Sequence, residues 1–178
     1  MNNPSPRSSL PRSVAVRKLA AQSQSLCGVI DDAGLPRLSE VVLAISGPVS
    51  VELRFDPGTA GFPEVTGRVS ARVVMTCQRC LGALPVALEA PIAVGVVHDS
   101  AAEQRLPRRL EPWIVAGDDG DLFDLAEEEL LLALPIVALH ENESCHASPV
   151  VAGDAGAAGD AGGTRNPFRV LAELKPQR

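Results

Sequence analysis

The chain contains no tyrosine, one tryptophan and four phenylalanines, so aromatics make up 3% of its 178 residues. That scarcity argues against a platform of stacked aromatic side chains for single-stranded RNA. It also leaves the core to Val, Leu, Ala and Ile. Hydrophobic residues are 46% of the total, enough for one ordinary domain with tails. Long apolar runs are missing as well. The longest, Leu130 to Leu139, contains Pro135 and is too short to span a bilayer. No apolar stretch follows "MNNPSPRSSLPRS", which argues against a secretory signal. The expected location is cytoplasmic, where cysteines stay reduced.

Charge of one sign is absent from two segments. Residues 1–20 carry Arg7, Arg12, Arg17 and Lys18 without an acid, whereas residues 111–143 hold ten acids and no Lys or Arg. The acidic segment would repel a phosphate backbone and attract a basic partner. The alternative is an ordinary solvated helix face with loops. The net charge is −6.

The organisation reads as α+β. Residues 1–13, rich in Asn, Ser, Pro and Arg, suit a flexible basic arm. A single α+β domain is expected over residues 14–148, an Ala/Gly/Asp linker over 149–164 and a short docking segment over 165–178. Within the domain, Val14 to Leu26 suits a short helix, and "DDAGLPR" a turn or loop. Three Val-rich runs follow, "EVVLAISGPVSVELRFD", "EVTGRVSARVVMTC" and "VALEAPIAVGVV"; the first alternates with a period of two after Ser50, and the second alternates again. Short turns between them favour an antiparallel sheet, open or barrel-like. Pro91 suggests an edge or a bulge. "GDDGDLFDLAEEELLLALP" is the clearest helix, capped by Asp121, acidic in its first turns and stopped by Pro135. It is expected to pack on the sheet. "RNPFRVLAELKPQR" places Phe168, Leu171 and Leu174 at helical spacing, as a docking segment would.

The cysteines are few enough to weigh one by one. Cys77 and Cys80 form a C-x-x-C between two predicted strands, so they sit in a hairpin turn. A dithiol redox site needs its first cysteine at a helix N-terminus, and "LGALP" after Cys80 leaves little room for a helix. A zinc half-site fits better, and Cys145 with one of its flanking histidines, His140 or His146, with His140 preferred, supplies the two further ligands a tetrahedron needs. Residual cysteines of a lost site are the competing explanation. Cys27, within "SLCGVI", reads as a buried apolar residue. No serine nucleophile motif or Gly-rich phosphate loop is present. Glu127, Glu128 and Glu129 are consecutive and fan around the helix, so no enzyme is expected.

Three blocks taken together, "VVMTCQRCLGALPVAL", "DLFDLAEEELLLALPIVALHENESC" and "NPFRVLAELK", resemble the YceD family of bacterial large ribosomal RNA subunit accumulation proteins. The resemblance runs from about residue 14 to the end. It implies a role in accumulation of large-subunit ribosomal RNA, with no enzymatic activity attached. Members of other branches carry extra cysteines near the position of Cys145, in patterns like a zinc ribbon. Here "ESCHASPVV" stands instead, without a second C-x-x-C.

Two modes of action fit these features. One is binding of precursor ribosomal RNA or an early assembly intermediate, with Arg17, Lys18, Arg105, Arg108 and Arg109 as candidate phosphate contacts. The other is an acidic chaperone for a basic large-subunit ribosomal protein, with Asp118, Asp119, Asp121, Phe168 and Leu171 as candidate protein contacts. Structural zinc is the one cofactor suggested. No membrane partner is expected.

Overall fold

A computed structural model of the chain describes residues 8–58, 61–141 and 145–146. The chain divides into two units, Met1–Ala147 and Ser148–Arg178, and the described residues all belong to the first. Phe168, Leu171 and the linker therefore lie outside the described residues.

The alternating runs become the central strands of a mixed sheet. β1 (Ser13–Ala15) and α1 (Val16–Ala21) lead into β2 (Ser25–Ile30). A 3-10 turn and α2 (Pro36–Val41) follow, then β3 (Ala44–Ile45), β4 (Val49–Asp56), β5 (Glu64–Thr76) and β6 (Ala83–Val97). After α3 (Ser100–Glu103) come β7 (Glu111–Ile114), β8 (Asp119–Asp121) and α4 (Leu122–Leu132). The main sheet runs β2-β4-β5-β6-β7, with β3 also paired to β5. A small second ladder joins β1 to β8. Edges at β2 and β7 leave the sheet open, so the barrel-like alternative is not what the described residues build.

The period-two pattern predicts which face is buried. Val49, Val51, Leu53 and Phe55 on β4 face inward, as do Val65, Val69, Ala71 and Val73 on β5. Leu88, Ile92, Val94 and Val96 on β6 complete that layer, and Leu122, Leu125, Ala126 and Leu130 of α4 close over it. Each large side chain buried this way contributes about 1.5–3 kcal/mol. Gly67 takes the one inward position of β5 where a side chain does not fit: a Cβ there would run into the carbonyl oxygen of Glu52 on β4.

Three expectations need correction. The helix over Val14–Leu26 is confined to Val16–Ala21, because Ser25–Ile30 pairs with Val49–Arg54 as β2. "DDAGLPR" is not a plain loop. Pro36 opens α2 as its first helical residue, and the buried carboxylate of Glu127 accepts the Leu38 N–H at 3.0 Å. The strand expected from Glu40 is accordingly delayed, to Ala44. The antiparallel sheet is as expected, and to it is added one strand for which there was no expectation: β7 pairs with β6 in parallel, the chain crossing back through α3 and its following loop. β7 reaches β6 only at Val94–Val97, so β6 has a sheet partner on one side alone at Pro91. That is the edge position a proline tolerates.

Residues 8–13, part of the stretch whose composition suits an arm, lie against the domain. Leu10 is buried and donates its N–H to the Val29 carbonyl at 2.9 Å. Arg12 pairs with Asp121 at 2.9 Å and lies over the Phe123 ring.

Candidate functional site

β5 and β6 are joined by a six-residue turn, Cys77–Gly82, folded tightly on itself. The Cys77 N–H bonds the Gly82 carbonyl at 2.8 Å, and the Leu81 N–H returns to the Cys77 carbonyl at 2.9 Å. Leu81 holds a positive φ of 60°, the left-handed geometry that closes the turn. The chain leaving α4 is pinned alongside. Gln78 donates its N–H to the Ala138 carbonyl at 2.8 Å, and the Arg79 guanidinium reaches the Cys145 carbonyl at 3.3 Å.

Those ties bring four donor atoms to one point. Cys77, Cys80, His140 and Cys145 each offer one, all within 4.8 Å of one another. Cys77 Sγ lies 3.6 Å from Cys145 Sγ, and His140 Nδ1 lies 3.4 Å from Cys80 Sγ and 3.6 Å from Cys145 Sγ. A tetrahedral zinc with Zn–S of about 2.3 Å and Zn–N of about 2.0 Å requires S···S near ~3.8 Å and S···N near ~3.5 Å. The spacing therefore fits a metal, and it is far too long for a disulfide, whose S–S bond is about 2.05 Å. None of the four cysteines forms a disulfide, and half-buried Cys27 on β2 stands apart from the group.

The protonation pattern suits ligation too. His140 Nε2 lies 3.1 Å from the Ala83 carbonyl, which can only accept, so Nε2 carries the proton and Nδ1 presents its lone pair to the sulfurs. At Cys77, burial pushes the thiol pKa up, but the backbone N–H groups of Cys80, Arg79 and His140 and the Cys145 thiol outweigh it and hold the group low. Cys145 is pushed the other way, by burial and by the neighbouring sulfurs of Cys77 and Cys80. A cation among these sulfurs would relieve that crowding. Cys77 and Cys145 are buried, and Cys80 and His140 half-buried, so the geometry is that of a closed site with no position open to a substrate.

The candidate phosphate contacts fall in two groups. Arg17 and Lys18 lie on α1, with the Arg17 guanidinium 3.2 Å from His98 Nδ1. His98 begins the segment that carries the other three. Of these, Arg108 is exposed, Arg105 lies 5.7 Å above the Phe62 ring, and Arg109 is ion-paired with Glu64 at 2.7 Å. On the acidic side, Asp118 and Asp119 are exposed. Asp121 has a structural position, capping α4 through the N–H groups of Phe123 and Asp124. Glu127 is buried and paired with Arg37, whereas Glu128 and Glu129 both line a cleft between α4 and β7, beside Trp113. That cleft was not evident from sequence, since it needs the parallel placement of β7.

An open α+β sheet pinned by a Cys/His group is the class these observations define. Residues 65–175 match the family described as "Large ribosomal RNA subunit accumulation protein YceD". A protein of Haemophilus influenzae carrying that same name is 31% identical over 168 residues, covering 93% of this chain and 96% of the relative. The chain belongs to the YceD family. No solved structure matches it. Among the described residues, no helix is long and apolar enough to cross a membrane.

Proposed function

We propose that this chain is a non-enzymatic, cytoplasmic ribosome-biogenesis factor that supports accumulation of large-subunit (23S) ribosomal RNA by binding precursor RNA or an early assembly intermediate. The observation that carries the reading is the family likeness, which extends along nearly the whole chain and its relative alike. Of the five candidate phosphate contacts, Lys18 and Arg108 are exposed and, among the described residues, take no part in the side-chain pairings that hold Arg17, Arg105 and Arg109. In this reading the Cys77–Cys80–His140–Cys145 group holds one structural zinc ion. Zinc there supplies a cross-link between the β5–β6 turn and the chain beyond α4, and performs no reaction.

A second mode, holding a basic ribosomal protein before its assembly, is favoured by one feature. Glu111, Glu128 and Glu129 crowd the cleft beside Trp113, and among the described residues no Lys or Arg lines it. Both modes affect large-subunit RNA, because RNA left unassembled is degraded.

The reading is tested by deleting the gene and measuring the ratio of large- to small-subunit ribosomal RNA. A fall that the intact gene reverses is expected. An unchanged ratio would remove the proposal.

A further inference from the structure

α4 shows the cleft one continuous stripe. Leu125, Glu128, Glu129 and Leu132 are spaced i, i+3, i+4 and i+7, and so stand above one another on a single helix face. Opposite them stand Glu111 and Trp113 of β7, the edge strand of the sheet. The Trp113 ring is held by packing over Gly120, where an added Cβ would come within 2.5 Å of it. The space enclosed is about 250 Å³, smaller than the ~300–1,000 Å³ of most small-molecule sites. It suits one long side chain better than a cofactor.

The chemistry of the walls narrows the occupant. None of Glu111, Glu128 and Glu129 makes an ion pair shorter than 4.0 Å among the described residues. Burial, with Glu111 and Glu128 nearby, pushes the Glu129 carboxyl up. Three carboxylates beside an indole are a receptor for an organic cation, which gains from both. A nucleic-acid backbone would be repelled. A single divalent ion is poorly served, because the Cys/His group is the one set of donors among the described residues that converges within 4.8 Å. Apolar surface continues past the cleft: Leu132 is 71% exposed, Ile136 96% and Val137 55%. Exposed apolar side chains next to a charged cleft mark a protein-binding surface.

We propose that the cleft between β7 and α4 docks a basic, amphipathic segment of a partner protein. A Lys or Arg of the partner sits between Trp113 and the carboxylates of Glu111, Glu128 and Glu129, and an apolar neighbour packs on Leu132. The inference rests on the reading that the chain acts by binding, and it names the chemistry of one partner.

Trp113 is the chain's single tryptophan, so its fluorescence reports on the cleft alone. The full chain is titrated with a helical peptide of Lys and Leu in amphipathic spacing. Saturable binding is expected, weakened about tenfold by Glu128→Gln with Glu129→Gln. Glu40→Gln with Glu89→Gln, two exposed acids that do not line the cleft, removes the same charge elsewhere and should change affinity less than about twofold. Equal weakening by both pairs, or none by the first, would overturn the proposal. So would equally tight binding of a Lys peptide without Leu. In cells, normal ribosomal RNA with the Glu128→Gln, Glu129→Gln variant, where deletion lowers it, sinks the docking site and leaves the general function standing. If deletion itself changes nothing, the general function fails and the peptide titration alone decides the cleft.

Discussion

Cys77 and Cys145, 68 residues apart in sequence, bring their sulfurs to 3.6 Å without a bond between them. Two buried thiols at that distance, with Cys80 and His140 completing the group, have the spacing that could hold a shared ion. The consequence for stability is local. None of the four belongs to the main hydrophobic cluster, so a metal held by them would secure the far end of the β5–β6 hairpin to the chain around Ala138, His140 and Cys145.

Zinc should therefore be present near one mole per mole in untagged protein purified without chelator. Removing it should leave the domain folded and speed amide exchange at Gln78 and Leu81, whose N–H groups bond Ala138 and Cys77. Cys77→Ser and Cys145→Ser should each reproduce the loss. Less than a tenth of a mole bound, with slow exchange retained at both amides, would contradict the assignment.

Glu127 is 3% exposed and joins two helices, accepting the Leu38 N–H and the Arg37 Nε–H at 3.0 Å each. Glu127→Ala strands a buried backbone donor and should cost about 1–3 kcal/mol in denaturant unfolding. Glu127→Gln keeps an acceptor for one of the two and should cost less. Equal loss in the two variants would show that packing, not the hydrogen bonds, is at stake.

Glu129 behaves oppositely. Its folded-state pKa is raised, by burial first and then by Glu111 and Glu128, so folding favours the protonated form. The charged form thus weakens the fold above the folded-state pKa, and the penalty disappears below the unfolded value of about 4.3. Glu129→Gln should stabilise the protein at pH 7 by no more than about 1 kcal/mol, since solvent screens the group. Thermal melts at pH 7 and pH 4 test this: the gain should shrink at the lower pH.

Asp121 gives the reverse pH dependence. Burial raises its carboxyl, but the N–H groups of Asp124 and Phe123 and the Arg12 guanidinium prevail and lower it. Its contribution is present above the unfolded pKa of about 3.9 and fades as pH falls through the lower folded value. Asp121→Ala should cost about 1 kcal/mol at pH 7 through the lost cap, and progressively less in acid. A pH-independent loss would assign the effect to the β1–β8 ladder instead.

Much of this was legible in the chain. β4 and β5 follow from alternation, β6 from a Val-rich run, and α4 from Asp121, its acidic first turn and Pro135. β2 was hidden because "SQSLCGVI" is short and follows a good helix former. α2 was hidden because its capping carboxylate, Glu127, lies 89 residues away. The metal group was half legible. C-x-x-C announced the turn, while the approach of His140 and Cys145 depends on how α4 ends. The Trp113 cleft depends on β7 crossing back in parallel, and no local pattern in "EPWI" signals that. Proximity across elements is set by packing, which periodicity does not encode.

The most direct test of the whole account is crosslinking in growing cells, followed by sequencing of the RNA and identification of the proteins recovered with this chain. Enrichment of large-subunit precursor RNA, or of basic proteins from its early assembly intermediates, is the predicted result. Recovery of neither, from cells making new ribosomes at full rate, would contradict it.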